Sequence, residues 1–139
     1  MYTISTDKSM LDIDLIHRFL SSESYWAKNI PRQVVERSID NSLCFGVFDD
    51  GEQVGFARVI TDYATFAYVG DVFVAAGHRG QGVSKQLMRA IREHPALAGL
   101  RRWHLVTSDA HGLYRQFGFR EVEKPERHME LVVKEPYSG

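Results

Sequence analysis

The chain has 139 residues, 44% hydrophobic and 25% charged, which is ordinary globular usage and fits one domain of roughly 150 residues. Its one cysteine, Cys44, excludes an internal disulfide framework and a multi-cysteine zinc site. The net charge of −1 argues against a general nucleic-acid binder. No apolar run approaches the roughly 18 residues of a membrane span.

The opening MYTISTDKSMLDIDL lacks the basic-then-apolar order of a secretory leader, so a soluble cytoplasmic protein is expected. Tyr2 to Ser5 alternates like a short strand. Leu11, Leu15, Ile16, Phe19 and Leu20 recur at helical spacing and predict an amphipathic helix over 10–21. SSESYWAKNIP is polar, ends at Pro31 and reads as a loop carrying Tyr25 and Trp26. A second helix follows over about 31–41. The runs at 43–48 and 53–62 flank Asp49-Asp50-Gly51, a hairpin signal with a loop of two residues or more. A strand at 68–74 leads into the glycine-rich AAGHRGQG. Val83, Leu87, Met88, Ala90 and Ile91 then mark one face of a helix that Pro95 and Gly99 end. A strand at 103–107, a short helix at 109–117 ending at Gly118, and strands at 119–123 and 129–133 complete the chain. Antiparallel pairs leading into a strand–helix–strand unit predict a mixed α/β domain spanning 1–139.

Charge is unevenly spread. Residues 1–70 sum to −4 and residues 71–139 to +3, and the stretch from Arg79 to Arg120 alone sums to +6. A solvated set of helix faces or a compact anionic ligand on the C-terminal half would both give this pattern. The segment DVFVAAGHRGQGVSKQLM sharpens the choice, because it sets a strand, a glycine turn and a helix start in succession. A helix start leaves N–H groups without partners and carries partial positive charge. Glycines let the main chain approach an anion closely. Arg79-Gly80-Gln81-Gly82-Val83-Ser84 therefore suits a phosphate or pyrophosphate. Two familiar phosphate loops do not fit. Val83 stands where the P-loop lysine would be, and Lys85 where the third glycine of GxGxxG would be.

This turn, between an apolar strand and an amphipathic helix, resembles the acetyl-CoA pyrophosphate loop of the GNAT superfamily of acyl-CoA-dependent N-acyltransferases. DAHGLYRQFGF (109–119) resembles a second segment of that family, with Ala110, Leu113, Tyr114, Gly118 and Phe119 at matching positions. The resemblance covers roughly residues 43–133. This sequence departs from the pattern in three places. Ser84 ends the first motif, AAGH stands where proline often precedes the loop, and Thr107 stands where asparagine is usual.

The resemblance implies a mostly antiparallel twisted sheet with a splayed parallel strand pair and about four flanking helices. It implies that acetyl-CoA binds as co-substrate, its pantetheine arm pairing with Val72, Phe73 and Val74. Its pyrophosphate would sit on Gly80, Gln81, Gly82, Val83 and Ser84, beside Arg79 and Lys85. It makes Tyr114 the acid that protonates the departing thiolate; by helical spacing alone Tyr114 reads as a packed aromatic. Asp71 and His111 are candidate bases for the acceptor amine, or a strand-end cap and a solvated helix residue. Tyr25 and Trp26 are candidate acceptor contacts, or caps on the core. The histidines show no metal-ligand spacing, and Cys44 sits in an apolar strand as a buried thiol.

The expected function is acetyl transfer to an amine. The alternatives are a non-catalytic acyl-CoA-binding regulatory or interaction domain, and a plain interaction domain whose glycine turn is fortuitous. Tyr114 favours the first. Partners are acetyl-CoA and an amine acceptor, with no nucleic acid and no membrane. Dimers are common in the resembled family, and 129–133 as an edge strand can pair across subunits.

Overall fold

The computed structural model describes residues 1–137. The elements in chain order are β1 (Tyr2–Ser5), α1 (Ile13–Arg18), α2 (Arg32–Asp40), β2 (Leu43–Asp49), β3 (Glu52–Thr61), β4 (Phe66–Val74), α3 (Val83–Glu93), β5 (Arg102–Leu105) and α4 (His111–Arg115). The strands form one sheet in the order β1-β2-β3-β4-β5, antiparallel except for the parallel pair β4–β5. This is the mixed architecture the sequence predicts.

Local chemistry accounts for the boundaries. Asp12 caps α1, its Oδ1 accepting from the Leu15 N–H at 3.1 Å. The predicted helix over 10–21 is shorter than expected and runs into a π turn at Phe19–Glu23. Buried Ser24 ends that turn, donating to the Leu20 carbonyl and accepting from the Ala27 N–H. Asp50 and Gly51 both take positive φ, at 52° and 82°, and Asp49 pairs with Glu52. The hairpin loop is therefore two residues in the primed geometry that matches strand twist.

The sheet carries a core on each face. Phe45, Val47, Val59 and Val69 pack with Leu87, Met88 and Ile91 of α3. Phe56 and Phe73 pack with Ile16, Phe19, Val35 and Ile39 beneath α1 and α2. The Phe19 and Phe73 rings stack with centroids 4.0 Å apart.

Two features of β4 position the site. It carries a bulge, since Phe56 pairs with Phe73 and Arg58 with Gly70, so Ala57 alone faces Asp71 and Val72. Asp71 absorbs the extra residue at φ 51°. In addition, the ladder with β5 stops at Val69–Leu105, while β4 runs on to Val74 paired only with β3. The parallel pair splays from that point.

The predicted strands at 119–123 and 129–133 do not form. Among the described residues, those beyond Gly118 are irregular apart from a 3-10 turn at Pro125–Arg127. Alternation supplies side chains for a strand, but a ladder needs an edge, and this arm passes β5 without entering its ladder.

Candidate active site

The splay leaves a strip of main chain open. The Ala75 N–H donates to the Val54 carbonyl on β3, so strand alternation turns the N–H and C=O groups of Val74 and Val72 the other way, into the gap. Phe73, between them, sends its ring into the core under α1.

At the mouth of the gap, the chain passes through a 3-10 turn at Ala76–His78 and then through Gly80 and Gly82, at φ 78° and 79°. A Cβ at either glycine would meet nothing within 4 Å, so both border open space. Gly82 is the N-cap of α3 and offers no side-chain acceptor. The first intrahelical bond runs from Gln86 N to Gly82 O, which leaves the N–H groups of Val83, Ser84 and Lys85 without helical partners. Arg79 folds back so that its Nε donates to the Val74 carbonyl at 2.9 Å. These residues, with His78 and Leu113 of α4, line a cavity of about 260 Å³.

Without the proline often found ahead of this loop, the turn is fastened from elsewhere. The Tyr2 hydroxyl lies 3.0 Å from His78 Nδ1 and donates to Gln81 Oε1 at 2.9 Å. Sequence reasoning missed Tyr2, because no local pattern links residue 2 to a loop 76 positions away.

The second motif forms the opposite wall. Thr107 Oγ1 accepts from the Ala110 N–H at 3.0 Å and so organises the start of α4. Gly118, at φ 94°, turns the chain out of α4, and the Phe119 N–H reaches the Tyr114 carbonyl. Phe119 then packs edge-on against Tyr114, with centroids 6.0 Å apart. Tyr114 is 8% exposed. Burial, foremost, then the nearby Asp109 and Tyr25, push its hydroxyl above the ordinary tyrosine value, so it keeps its proton at neutral pH. Tyr114, Thr107 and His111 border a groove of about 900 Å³ that runs along β5.

The residues expected at the acceptor side fall in two places. Trp26 Nε1 donates to Asp71 Oδ1 at 2.8 Å, and Tyr25 packs edge-on against Trp26 at 5.0 Å. The Tyr25 hydroxyl accepts from Ser108 Oγ at 3.0 Å, carrying this loop across the gap to the segment before α4. His111 lies apart from this group, in the groove with Tyr114. Asp71 is engaged at both oxygens, since Arg58 Nε donates to Oδ2 at 2.9 Å. Arg58 was also missed, though an arginine inside the apolar run QVGFARV is the kind of signal that could have found it.

The Arg58–Asp71 pair is mostly buried, at 19% and 13% side-chain exposure. Asp71→Ala is expected to lower the unfolding free energy by about 3 kcal/mol, because it leaves a buried guanidinium unpaired. Asp71→Asn, which keeps the Trp26 bond and tolerates positive φ, should cost less. Urea unfolding midpoints check both. Cys44 is buried, which pushes its thiol up and keeps it protonated, and it lies in the core beneath α1 and α2.

Comparison with known proteins gives one consistent result. A family model described as an acetyltransferase (GNAT) domain matches residues 40–121. A protein of Gibberella zeae assigned to the acetyltransferases is 33% identical, over 88% of this chain and 81% of its own. A crystal structure from Xanthomonas campestris pv. campestris, assigned to the GNAT family, is 59% identical with a TM-score of 0.97, over 100% of this chain and 98% of its own. A Clostridium acetobutylicum protein crystallised with acetyl-CoA shares the fold at 16% identity and a TM-score of 0.66, over 95% of each chain.

Proposed function

The chain belongs to the GNAT family of acetyltransferases, and from that premise we propose that it transfers an acetyl group from acetyl-CoA to an amine of a small molecule or peptide by direct attack with both substrates bound. The observation that carries this reading is the split of β4 from β5 beyond Val69, with two positive-φ glycines and the start of α3 at its mouth. The residues fit acetyl-CoA. The Val72 main-chain groups and the Val74 N–H, turned into the gap, suit an amide-bearing arm, while Arg79 holds the Val74 carbonyl. The bare N–H groups at 83–85, with Arg79 and Lys85, suit a pyrophosphate. Glycine at 80 and 82 leaves the room a phosphate needs.

Within this reading the chain's own groups divide the work. A main-chain N–H near Val74 polarises the thioester carbonyl. The amine nitrogen bonds to the carbonyl carbon as the carbon–sulfur bond breaks. Tyr114, still protonated, donates its hydroxyl proton to the departing sulfur, and the proton that the new amide nitrogen sheds returns the tyrosinate to its neutral form, directly or through water. An alkylammonium of pKa near ~10 must first shed a proton, and His111 in the groove is the candidate to receive it, directly or through water. Asp71, held by Arg58 and Trp26, positions Trp26 and Tyr25 as one wall of the acceptor entrance.

A thermal-shift titration tests the reading. Acetyl-CoA at about 100 times its Kd is expected to stabilise the protein by about 2.7 kcal/mol, several degrees of melting temperature, while ATP at equal concentration does not. No shift at millimolar acetyl-CoA would remove it. Thiol release in the presence of an amine panel then separates turnover from binding alone.

A further inference from the structure

We propose that the acceptor is a single amine joined by a short alkyl arm to a flat aromatic ring, the ring lying among Tyr25, Trp26 and Tyr68 while the amine reaches Tyr114. The inference rests on the acetyl-transfer reading and names its substrate class. The amine nitrogen loses one proton and gains the acetyl carbon, and CoA leaves as the thiol. Phe56, Arg58 and Ile60 alternate onto one face of β3. α1 and α2 cover that face at Phe56 and Phe73 but leave Ile60 exposed. Tyr68 lies opposite Ile60 in register, and His104 opposite Tyr68. The sheet face therefore stays open beside the splay.

Three rings border this opening, and each is set by its own contacts. A Cβ at Gly70 would stand 3.1 Å from Tyr68 Cε1, so the Tyr68 ring lies along the strand over Gly70. It stacks with the His104 ring, centroids 5.8 Å apart. Trp26 is held by its bond to Asp71 and backed by Phe19, whose centroid is 6.3 Å away. Tyr25 meets Trp26 edge-on and is tied to Ser108. Tyr25 and Trp26 nevertheless remain 63% and 43% exposed. Rings fixed in place yet open to solvent offer an aromatic ligand edge and face contacts at little ordering cost. Burial, foremost, then Asp71, push the Tyr68 hydroxyl above its ordinary value; Arg58 opposes them and Tyr25 adds to them, as Tyr25 does at Tyr114. Tyr25 thus neighbours both Tyr68 and the proposed acid.

Charge selects one amine rather than several. Arg58, 2.9 Å from Asp71, neutralises that carboxylate, so it offers no net attraction to a second ammonium. Asp109, exposed just before α4, is the acid that, after burial, most raises Tyr114, and it suits the reacting amine before its proton is shed. Beyond Tyr114 the groove carries Arg102, Arg115, Arg120, Lys124 and Arg127 against Glu121 and Glu123, which repels a polycation. An uncharged flat body fits what is left.

Initial rates at saturating acetyl-CoA test it with 2-phenylethylamine, its puckered analogue 2-cyclohexylethylamine, and spermidine. The wild type is expected to favour the phenyl over the cyclohexyl amine by about tenfold in kcat/KM, and to use spermidine less well than either. Tyr25→Ala is expected to lower the phenyl-to-cyclohexyl ratio by about threefold or more. Tyr68→Leu should lower it likewise, and carries the test should Tyr25→Ala misfold. Tyr63→Ala removes an exposed tyrosine in the β3–β4 turn and is expected to keep the wild-type ratio. Saturation-transfer NMR reads binding without turnover, and the ring protons of 2-phenylethylamine should receive saturation from the wild type and less from Tyr25→Ala. Equal use of the two ring amines, preference for spermidine, a ratio unmoved in both variants, or no saturation transfer would each overturn the proposal. Loss of the acetyl-CoA thermal shift with saturation transfer intact would strike the acetyl-transfer reading and leave the ring site standing.

Discussion

Gly82→Trp is expected to weaken acetyl-CoA binding by about 100-fold or more, a loss of about 2.7 kcal/mol, in a protein that still folds. Two separable effects meet at this position. The backbone sits at φ 79°, where a residue with a Cβ costs about 1–2 kcal/mol of strain. The side chain would also project into the open space in front of the α3 N–H groups, where nothing lies within 4 Å of an added Cβ. No core atom is displaced, so the fold should survive. Gly51→Trp is the control, because Gly51 has φ 82° and equally open surroundings, at the tip of the β2–β3 hairpin. It carries the same strain and should bind acetyl-CoA normally. Isothermal titration of both proteins checks this, and wild-type affinity in Gly82→Trp would show that the turn only joins a strand to a helix.

Tyr114→Phe is expected to lower kcat by about 10²–10³-fold with little change in acetyl-CoA affinity, the range for removing one positioned acid. The substitution keeps the ring and its edge-on packing with Phe119, so stability should hold. The pH profile supplies a second readout. Burial raises the pKa of Tyr114, so the proton it donates is present below that raised value and is lost as pH climbs through it. Wild-type kcat should therefore persist past the ordinary tyrosine range before falling, and the residual activity of Tyr114→Phe should lack that alkaline limb. An unchanged kcat would remove Tyr114 from the mechanism.

What sequence could foresee here follows from how local each feature is. The Asp50-Gly51 hairpin, the amphipathic faces of α2 and α3, and the positive-φ glycines at 80 and 82 are written in neighbouring residues, and they appear where periodicity and turn chemistry put them. The bulge at Asp71 was not legible, because it exists only in the register between β3 and β4. The Arg58–Asp71–Trp26 chain was hidden for the same reason, since its members lie on three elements. The arm misled for a different reason. MELVV has the composition of a strand, and composition says nothing about whether an edge is within reach.

The anchoring of the glycine turn through Tyr2 has a bearing on dynamics. β1 is four residues long and lies at the border of the sheet opposite β5. A short border strand held by one ladder opens at small free-energy cost compared with global unfolding. Each time β1 peels from β2, His78 and Gln81 lose the hydroxyl that fastens them, and the bare N–H groups of α3 lose their fixed aim. Opening of this border strand and acetyl-CoA affinity are thus one equilibrium read in two places. A ligand gripping the turn should in return slow amide exchange at residues 2–5, which it never touches.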